Sequence, residues 1–186
     1  MTASGHYQSG VVSVMFPLAV CYKHQLPMAL YLIVFIGCML GVTAPDYLEW
    51  RRRSQIKTGL LRRKRTVTKT MLTHRGITHT LSLWITAMGY SYYQLTHALE
   101  WQYMIAWGFA FAYSYGGVVH LAGDLPNKRG IPLFPFGRKY ALYLWKSSKY
   151  EWFANLCLGS IILLITLYYL GVHAAFITPT EPPVMK

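Results

Sequence analysis

Long apolar runs with few charged residues dominate the pattern of this chain. The stretch LPMALYLIVFIGCMLGVTAP, residues 26–45, contains no charged residue in 20 positions. Residues 101–123 and 152–176 each hold one long, mostly apolar run. Because about 20 apolar residues carry an α-helix across the hydrocarbon core of a bilayer, each run predicts a transmembrane helix.

Two further apolar segments are weaker. Residues 77–95 contain several threonines and serines, but no Asp, Glu, Lys or Arg. Residues 8–22 are apolar but short, so they form either a tilted span or a half-inserted helix. The pattern predicts an all-α, polytopic integral membrane bundle of about four to five transmembrane helices, in a single domain over residues 1–186.

The overall composition agrees with a membrane protein that has basic loops. The chain is 54% hydrophobic, yet its formal net charge is +12. A soluble domain of this size rarely combines those two features. The first ten residues, MTASGHYQSG, lack a basic segment, so we do not expect a cleaved signal peptide. The three cysteines lie in apolar segments without CxxC spacing, which favours buried apolar residues over disulfides or thiolate ligands.

Basic residues are concentrated in two parts of the chain. Of the 18 Lys and Arg residues, ten lie between Arg51 and Arg75 and six lie between Lys128 and Lys149. The positive-inside rule places both regions, including the basic loop 50–75, in the cytoplasm. The predicted helices then cross the membrane alternately, and the first long run points inward.

With this orientation fixed by Lys and Arg alone, acids and histidines gather at the cytoplasmic ends of the predicted helices. The residues at those ends are His6, Asp46, Glu49, His74, His79, His120, Asp124 and Glu151. A small bundle could bring them into one pocket. Several ionisable groups at one side of a membrane bundle indicate a common role, because burying each of them is costly. The alternative is a polar network that ties helix ends together.

The spacing of these residues favours a metal site. His120 and Asp124 are four positions apart in HLAGD, which on a helix stacks both side chains on one face. In MLTHRGITHTL, Gly76 separates His74 on the loop from His79 in the first turn of the next helix. Imidazole and carboxylate without thiolate suit zinc first, then manganese or iron, and permit one or two ions.

Individual members of the set also have simpler interpretations. Asp46 follows a proline at a helix end, where carboxylates commonly cap the next turn. Glu151 at the start of the last helix is equally well explained by the helix dipole. Arg75 is better suited to clamping an anion than to binding a metal, because guanidinium matches phosphate.

Several motifs together resemble a known family. MTASGH at the start, APD after the second apolar segment, HRGITHT, HLAGD and GIPLFPF follow in order. The sequence thereby resembles, from residue 1 to about residue 151, the YdjM-type family of bacterial inner-membrane proteins described as metal-dependent hydrolases. The resemblance implies metal residues at these positions: His6, Asp46, His74, His79, His120 and Asp124. A glutamate near the start of the last helix also matches, as Glu151.

Two positions depart from the family pattern. The family commonly has Pro-Asp-x-Asp, whereas this chain reads PDYLE, so Leu48 stands at the second aspartate position. Either Glu49 substitutes from the next position or one ligand is missing. Asn127 stands where the family usually has a threonine.

A metal at this cluster would lower the pKa of water towards about 7 and so supply a nucleophile at neutral pH. Glu49 or Glu151 is then the candidate general base. Arg75, together with Lys128 and Arg129, could hold a phosphate. Because the site lies at the level of the lipid headgroups, the predicted substrate is a phospholipid or another lipid-linked phosphoester.

Two segments outside the apolar runs have open interpretations. PNKRGIPLFPFGRKYALYLW, residues 126–145, is too broken for a span. It predicts an interfacial piece near residues 126–150 that serves as a membrane-surface anchor, as a lid, or as both. RRRSQIKTGLLRRKR, residues 51–65, is best interpreted as a topology signal that also binds anionic lipid. It has few aromatic residues for base stacking, which does not favour nucleic acid.

Three functions compete at this stage. The first is a metal-dependent hydrolase acting on a membrane lipid. The second is a non-enzymatic assembly or regulatory protein whose basic loop docks a cytoplasmic partner, DNA or anionic lipid. The third is a metal or proton transporter, which the placement of ionisable residues in a single layer disfavours.

Overall fold

The computed structural model of the protein describes residues 2–48, 51–58, 63–70, 76–128, 130–144 and 150–172. These parts of the chain are mainly helical, as the sequence predicts. The helices are α1 (Ala3–Ser13), α2 (Met15–Lys23), α3 (Met28–Gly41), α4 (Ala44–Tyr47), α5 (Leu81–His97), α6 (Trp101–Asp124) and α7 (Glu151–Tyr169), with a 3₁₀ turn at Ile77–His79. The short strands are β1 (Arg51–Thr58), β2 (Arg63–Thr70), β3 (Ile131–Pro132) and β4 (Lys139–Tyr140).

The helices differ in how well they suit a membrane. Within the described residues, α7 is the one helix that is both long and apolar enough to cross a bilayer. Helix α3 is strongly apolar, but it has 14 residues, which is fewer than a perpendicular span requires. The helical character of the protein is therefore confirmed, whereas the number of membrane crossings stays a prediction.

The weak apolar segment near the N-terminus forms two helices. Helix α1 ends at Ser13 and α2 begins at Met15, with Val14 between them. Pro17 explains the break, because a proline has no N–H to donate to the carbonyl four residues earlier and its ring clashes with that carbonyl. For Pro17 this carbonyl belongs to Ser13, the last residue of α1, so the helix is interrupted there.

Helix α6 lies at the centre of the fold, with α3 and α5 packed along it. Glycines permit the close approach of α3. A Cβ atom placed on Gly116 would lie 2.5 Å from the carbonyl oxygen of Cys38, and one on Gly41 would lie 2.0 Å from that of Tyr113. No side chain fits at either position, so the two backbones meet directly.

A matched pair of glycine substitutions tests this contact. Gly116→Ala is expected to destabilise the protein by about 1–3 kcal/mol, because the added methyl group forces the two helices apart. Gly89→Ala, on the exposed side of α5, meets no atom within 4 Å. It should be neutral or stabilising by up to about 1 kcal/mol, because alanine favours helix. Thermal unfolding in detergent measures both. Equal unfolding temperatures for the two variants would contradict the close packing.

Helix ends that are distant in sequence meet at two ends of the fold. At one end, His24 after α2, Tyr92 of α5 and Tyr169 of α7 form a hydrogen-bonded triangle, with separations of 3.0–3.3 Å between the His24 Nε2 and the two hydroxyls. At the other end, Thr2 hydrogen-bonds to Glu151 at the start of α7. The helices thus alternate in direction between these two ends.

The two connecting segments contain short antiparallel ladders. In the basic segment, β1 pairs with β2, with Arg51 opposite Thr70 and Thr58 opposite Arg63. The sequence analysis assigned a loop here, yet the β-branched residues Thr66, Val67, Thr68 and Thr70 of RKRTVTKT favour a strand. In the segment between α6 and α7, β3 pairs with β4. Residues 130–144 contain no helix, in agreement with the prediction of a broken segment.

Candidate metal centre

His120 lies at the centre of the cluster. It is completely buried in the penultimate turn of α6. Its Nδ1 lies 2.8 Å from the carbonyl oxygen of Val42 at the end of α3. Because a carbonyl can only accept, Nδ1 must carry the hydrogen. In the neutral ring Nε2 therefore has a free lone pair, which is the arrangement that metal-binding histidines use.

His6 and Asp124 complete a first group around His120. The ring of His6 stacks on that of His120, with centroids 3.8 Å apart and planes inclined by 12°. Asp124 lies one helical turn after His120, and its Oδ2 is 3.8 Å from the His120 Nε2. The other carboxylate oxygen, Oδ1, is 3.7 Å from the Nε2 of His6. The side chains of all three are buried.

Asp46 and His79 form a second group that shares His120. Asp46 lies in the short helix α4, and His79 ends the 3₁₀ turn before α5. The Nε2 of His79 is 3.4 Å from the Oδ1 of Asp46, and its ring stands edge-on to His120 with centroids 5.4 Å apart. In each group of three, the candidate ligand atoms all lie within 4.8 Å of one another. One imidazole therefore belongs to both triads.

Asp46 differs from Asp124 in its environment. The side chain of Asp46 is 43% exposed, whereas that of Asp124 is 3% exposed. The contact with the His79 imidazole, aided by the nearby His120, holds the pKa of the Asp46 carboxyl below its usual range. Asp46 is thus a carboxylate at neutral pH, and it faces the more open side of the cluster.

The donor atoms fit a divalent cation. The Nδ1 of His6 and the Nε2 of His120 are buried and have no hydrogen-bond partner within the described residues. A lone pair on His120 facing a carboxylate oxygen at 3.8 Å is unfavourable in a buried site unless a proton or a cation lies between them. Histidine nitrogens and carboxylate oxygens are ligands that zinc accepts, and manganese or iron also suit such a set.

Residues around the triads hold the candidate ligands in place. Trp84 covers Gly117 of α6, where a Cβ atom would lie 2.1 Å from the indole ring. Its Nε1 donates a 2.7 Å hydrogen bond to the carbonyl of Thr78, the residue before His79. On the other side, the amide of Asn127 donates to the Oδ1 of Asp124 at 3.1 Å. The first contact positions the segment that carries His79, and the second orients the carboxylate of Asp124.

The remaining predicted site residues are placed differently. The backbone N–H and the hydroxyl of Thr2 both donate to the carboxylate of Glu151, at 2.5 and 2.7 Å. Glu151 therefore fastens the start of α1, the helix that carries His6. Leu48 is half exposed and offers no ligand atom. The predictions for Glu49, His74 and Arg75 fall outside the described residues.

The sequence analysis missed the residues that support the ligands. Val42 contributes a backbone carbonyl, for which side-chain patterns contain no signal. Trp84 is recognisable only once it is known to pack on α6. The adjacent glycines 116 and 117 were the available signal, because glycine in a helix interior commonly marks a close approach of another group.

Comparison with known proteins identifies the family of this chain. The fold and the cluster define a helical protein with a candidate metal centre near one end of an apolar helix of membrane-spanning length. The family model for the YdjM inner membrane protein matches residues 1–179. The chain therefore belongs to the YdjM inner membrane protein family and is an inner-membrane protein. Searches of curated proteins and of solved structures found no match.

Proposed function

We propose that this protein is a multi-pass, membrane-bound metal-dependent hydrolase that acts on a phospholipid or lipid-linked phosphoester at the cytoplasmic face. The observation that carries the proposal is the pair of His/Asp triads that share the buried His120. Five ligand candidates from four separate segments meet there. Chance polar pairing rarely leaves buried nitrogen atoms without hydrogen bonds.

The residues of the two triads have different proposed roles. His6, His120 and Asp124 form the buried wall that would hold a metal ion, while Asp46 and His79 border the more exposed side. When bound, a divalent metal polarises a phosphoryl oxygen and acidifies water at neutral pH. The half-exposed carboxylate of Asp46 is positioned where a substrate can arrive. Glu49 and Glu151 remain candidate bases, and Arg75, Lys128 and Arg129 remain candidates for phosphate binding.

Lipid substrates are favoured by where the centre lies. Thr2 joins Glu151 at the first residue of the candidate membrane span, and His6 lies one turn beyond Thr2. The cluster is therefore close to the level at which α7 enters the bilayer. The ester bonds of phospholipids lie at that depth. The basic residues of the neighbouring segments favour the cytoplasmic side.

A hydrolysis assay with matched histidine variants tests the proposal. The protein is placed in liposomes of phosphatidylglycerol and phosphatidylethanolamine, and release of phosphate-containing headgroups is followed with zinc or manganese. We expect metal-dependent release that a chelator stops, that His79→Ala abolishes and that His97→Ala preserves. His97 is an exposed histidine at the opposite end of α5. Equal release by wild type and His79→Ala would contradict the proposal. Release that continues at the same rate after the chelator is added would also contradict it.

Trp84→Phe tests the support of His79. Phenylalanine keeps an aromatic ring over Gly117 but loses the hydrogen bond to Thr78. We expect about a tenfold loss of hydrolysis, the lower end of the effect on activity of removing an outer partner of a metal-site residue. Trp101→Phe, at the far end of α6, is the control. The liposome assay with zinc measures both, and equal rates in the two variants would rule out a role for the indole N–H.

A non-enzymatic docking role is the second candidate. The β1–β2 ladder gives the basic segment a defined backbone, which a binding surface needs more than a topology signal does. This role predicts that replacing Arg63, Lys64 and Arg65 with glutamine abolishes function in cells, whereas His79→Ala is tolerated. The opposite result, at normal protein abundance, would eliminate it.

A further inference from the structure

The segment between α6 and α7 exposes several large apolar side chains beside the candidate metal centre. Its tip carries Phe134 and Phe136, which are 67% and 94% exposed. Farther along, Leu142, Tyr143 and Leu144 are also more than half exposed. We call residues 133–144 the aromatic loop. So much exposed apolar surface in one short segment marks a site of contact with a membrane or a partner.

The aromatic loop is held firmly by its backbone. The N–H of Ser82 donates to the carbonyl of Leu133, at 3.0 Å. The N–H groups of Leu142 and Leu144 donate to the carbonyls of residues 125 and 126, directly after Asp124. The β3–β4 pair closes the base of the loop, where Ile131 is fully buried. These bonds fix the loop to the end of α6 that carries the triads.

The exposed side chains are presented at some conformational cost. Phe136 and Tyr143 have φ angles of 60° and 54°, in the left-handed region that residues other than glycine rarely adopt. Such strain persists where the surrounding structure enforces it, and it concentrates at functional sites. A loop that only connected two helices would have no need to hold a phenylalanine outward in this way.

Charge and position favour a lipid surface as the occupant. Arg138 and Lys139 are exposed within the loop, next to the aromatic tip. Basic side chains beside exposed aromatic rings suit the boundary between anionic headgroups and acyl chains. Helix α7 begins seven residues after Leu144, so the end of the loop lies within about 25 Å of the start of the candidate span.

We propose that the aromatic loop is inserted into the headgroup region of the anionic membrane and borders the entrance to the metal centre. Phe134 and Phe136 reach into the upper acyl layer, and Arg138 and Lys139 contact lipid phosphates. The loop is thus a fixed anchor that brings lipid to the end of α6. Its part in substrate entry rests on the proposed hydrolase function, whereas its insertion does not.

A depth measurement with a fluorescent label tests the insertion. Cys157 is exposed and is replaced with alanine, while Cys21 and Cys38 are buried. Phe136→Cys carries the label in one sample, and Glu100→Cys, an exposed position at the end of α6 away from the triads, carries it in the control. Both proteins are placed in dilute liposomes that contain phosphatidylglycerol. The label is then challenged with aqueous iodide on both sides of the membrane and with lipids bearing a nitroxide high on the acyl chain.

We expect opposite responses at the two positions. At a depth of about 5–10 Å, the label at position 136 should be quenched by the nitroxide lipid and protected from iodide. The label at position 100 should show the reverse. Iodide quenching of position 136 equal to that of position 100 would overturn the proposal. Protection of position 136 from both quenchers would also overturn it, because a protein surface would then cover the loop.

Metal content is measured on the same samples. Phe136 is 94% exposed, so its replacement should leave folding and metal binding unchanged. If position 136 is not inserted but the protein still binds metal, only the proposed insertion of the loop is refuted. Insertion without metal would refute the proposed hydrolase and leave the membrane anchor intact.

Discussion

His120→Ala is expected to abolish metal binding altogether. His120 is the one residue that both triads share, so its removal leaves each with two ligands. The loss of affinity should exceed the about 10–100-fold that follows removal of an outer partner of a ligand. In wild type, metal at about 100 times its dissociation constant should add about 2.7 kcal/mol to stability. Zinc should not stabilise the His120→Ala protein. Thermal unfolding in detergent, with and without zinc, measures this stabilisation in both proteins.

The control for this prediction is another histidine. His97→Ala removes an exposed imidazole at the opposite end of the fold and should retain the full stabilisation by metal. The metal-free His120→Ala protein should still fold, because the replaced ring leaves no charge without a partner. A zinc-dependent rise in unfolding temperature in His120→Ala, as large as that of wild type, would exclude His120 as a ligand.

Asp124→Asn is expected to have the second-largest effect. The substitution keeps the shape of the side chain but removes a buried negative charge between His6 and His120. Removing one partner of a buried charged pair costs about 3–5 kcal/mol. Since about 1.4 kcal/mol corresponds to a tenfold change, metal affinity should fall by about 100- to 4,000-fold.

Asp46→Asn provides the matched comparison. Asp46 is 43% exposed, so water screens its charge and its loss should cost about 1 kcal/mol or less in metal affinity. Zinc titration of both variants by calorimetry measures the difference. If Asp46→Asn weakened binding as much as Asp124→Asn, the ion would lie in the exposed triad and not against the buried wall.

The number of bound ions follows from the hydrogen bond of His120. The Nδ1 of this ring is occupied by the Val42 carbonyl, so the ring has one nitrogen left for a metal. An imidazole nitrogen has a single lone pair and binds one ion. The two triads therefore cannot both be complete at once. We expect about one tightly bound ion per chain, with His120 as its common ligand.

The sequence predicted the helical elements well where hydrophobic pattern alone decides them. The long runs that contain α3, α6 and α7 were recognised, with ends that differ from the predicted spans by up to seven residues. The short segment 8–22 could not be resolved by composition. Its division at Val14 depends on Pro17, which the predicted span contained but which the pattern of apolar residues ignores.

The candidate site was predicted through topology more than through motif. Orientation by Lys and Arg placed His6, His120 and Asp124 at one level, and these residues do lie together. The support from Val42 could not be predicted, because it is a backbone carbonyl that depends on the close approach of α3 to α6. Glu151 lies against Thr2, a contact across 149 positions that no local pattern indicates.

The most direct test of the central claim is the metal content of the purified protein. Wild type, His120→Ala and His97→Ala are purified in mild detergent without added metal, and bound metals are counted by mass spectrometry. We predict about one equivalent in wild type and in His97→Ala, and none in His120→Ala. Folded wild-type protein without metal that also fails to take up zinc, manganese or iron would contradict the account. The cluster would then be a polar network that joins helix ends.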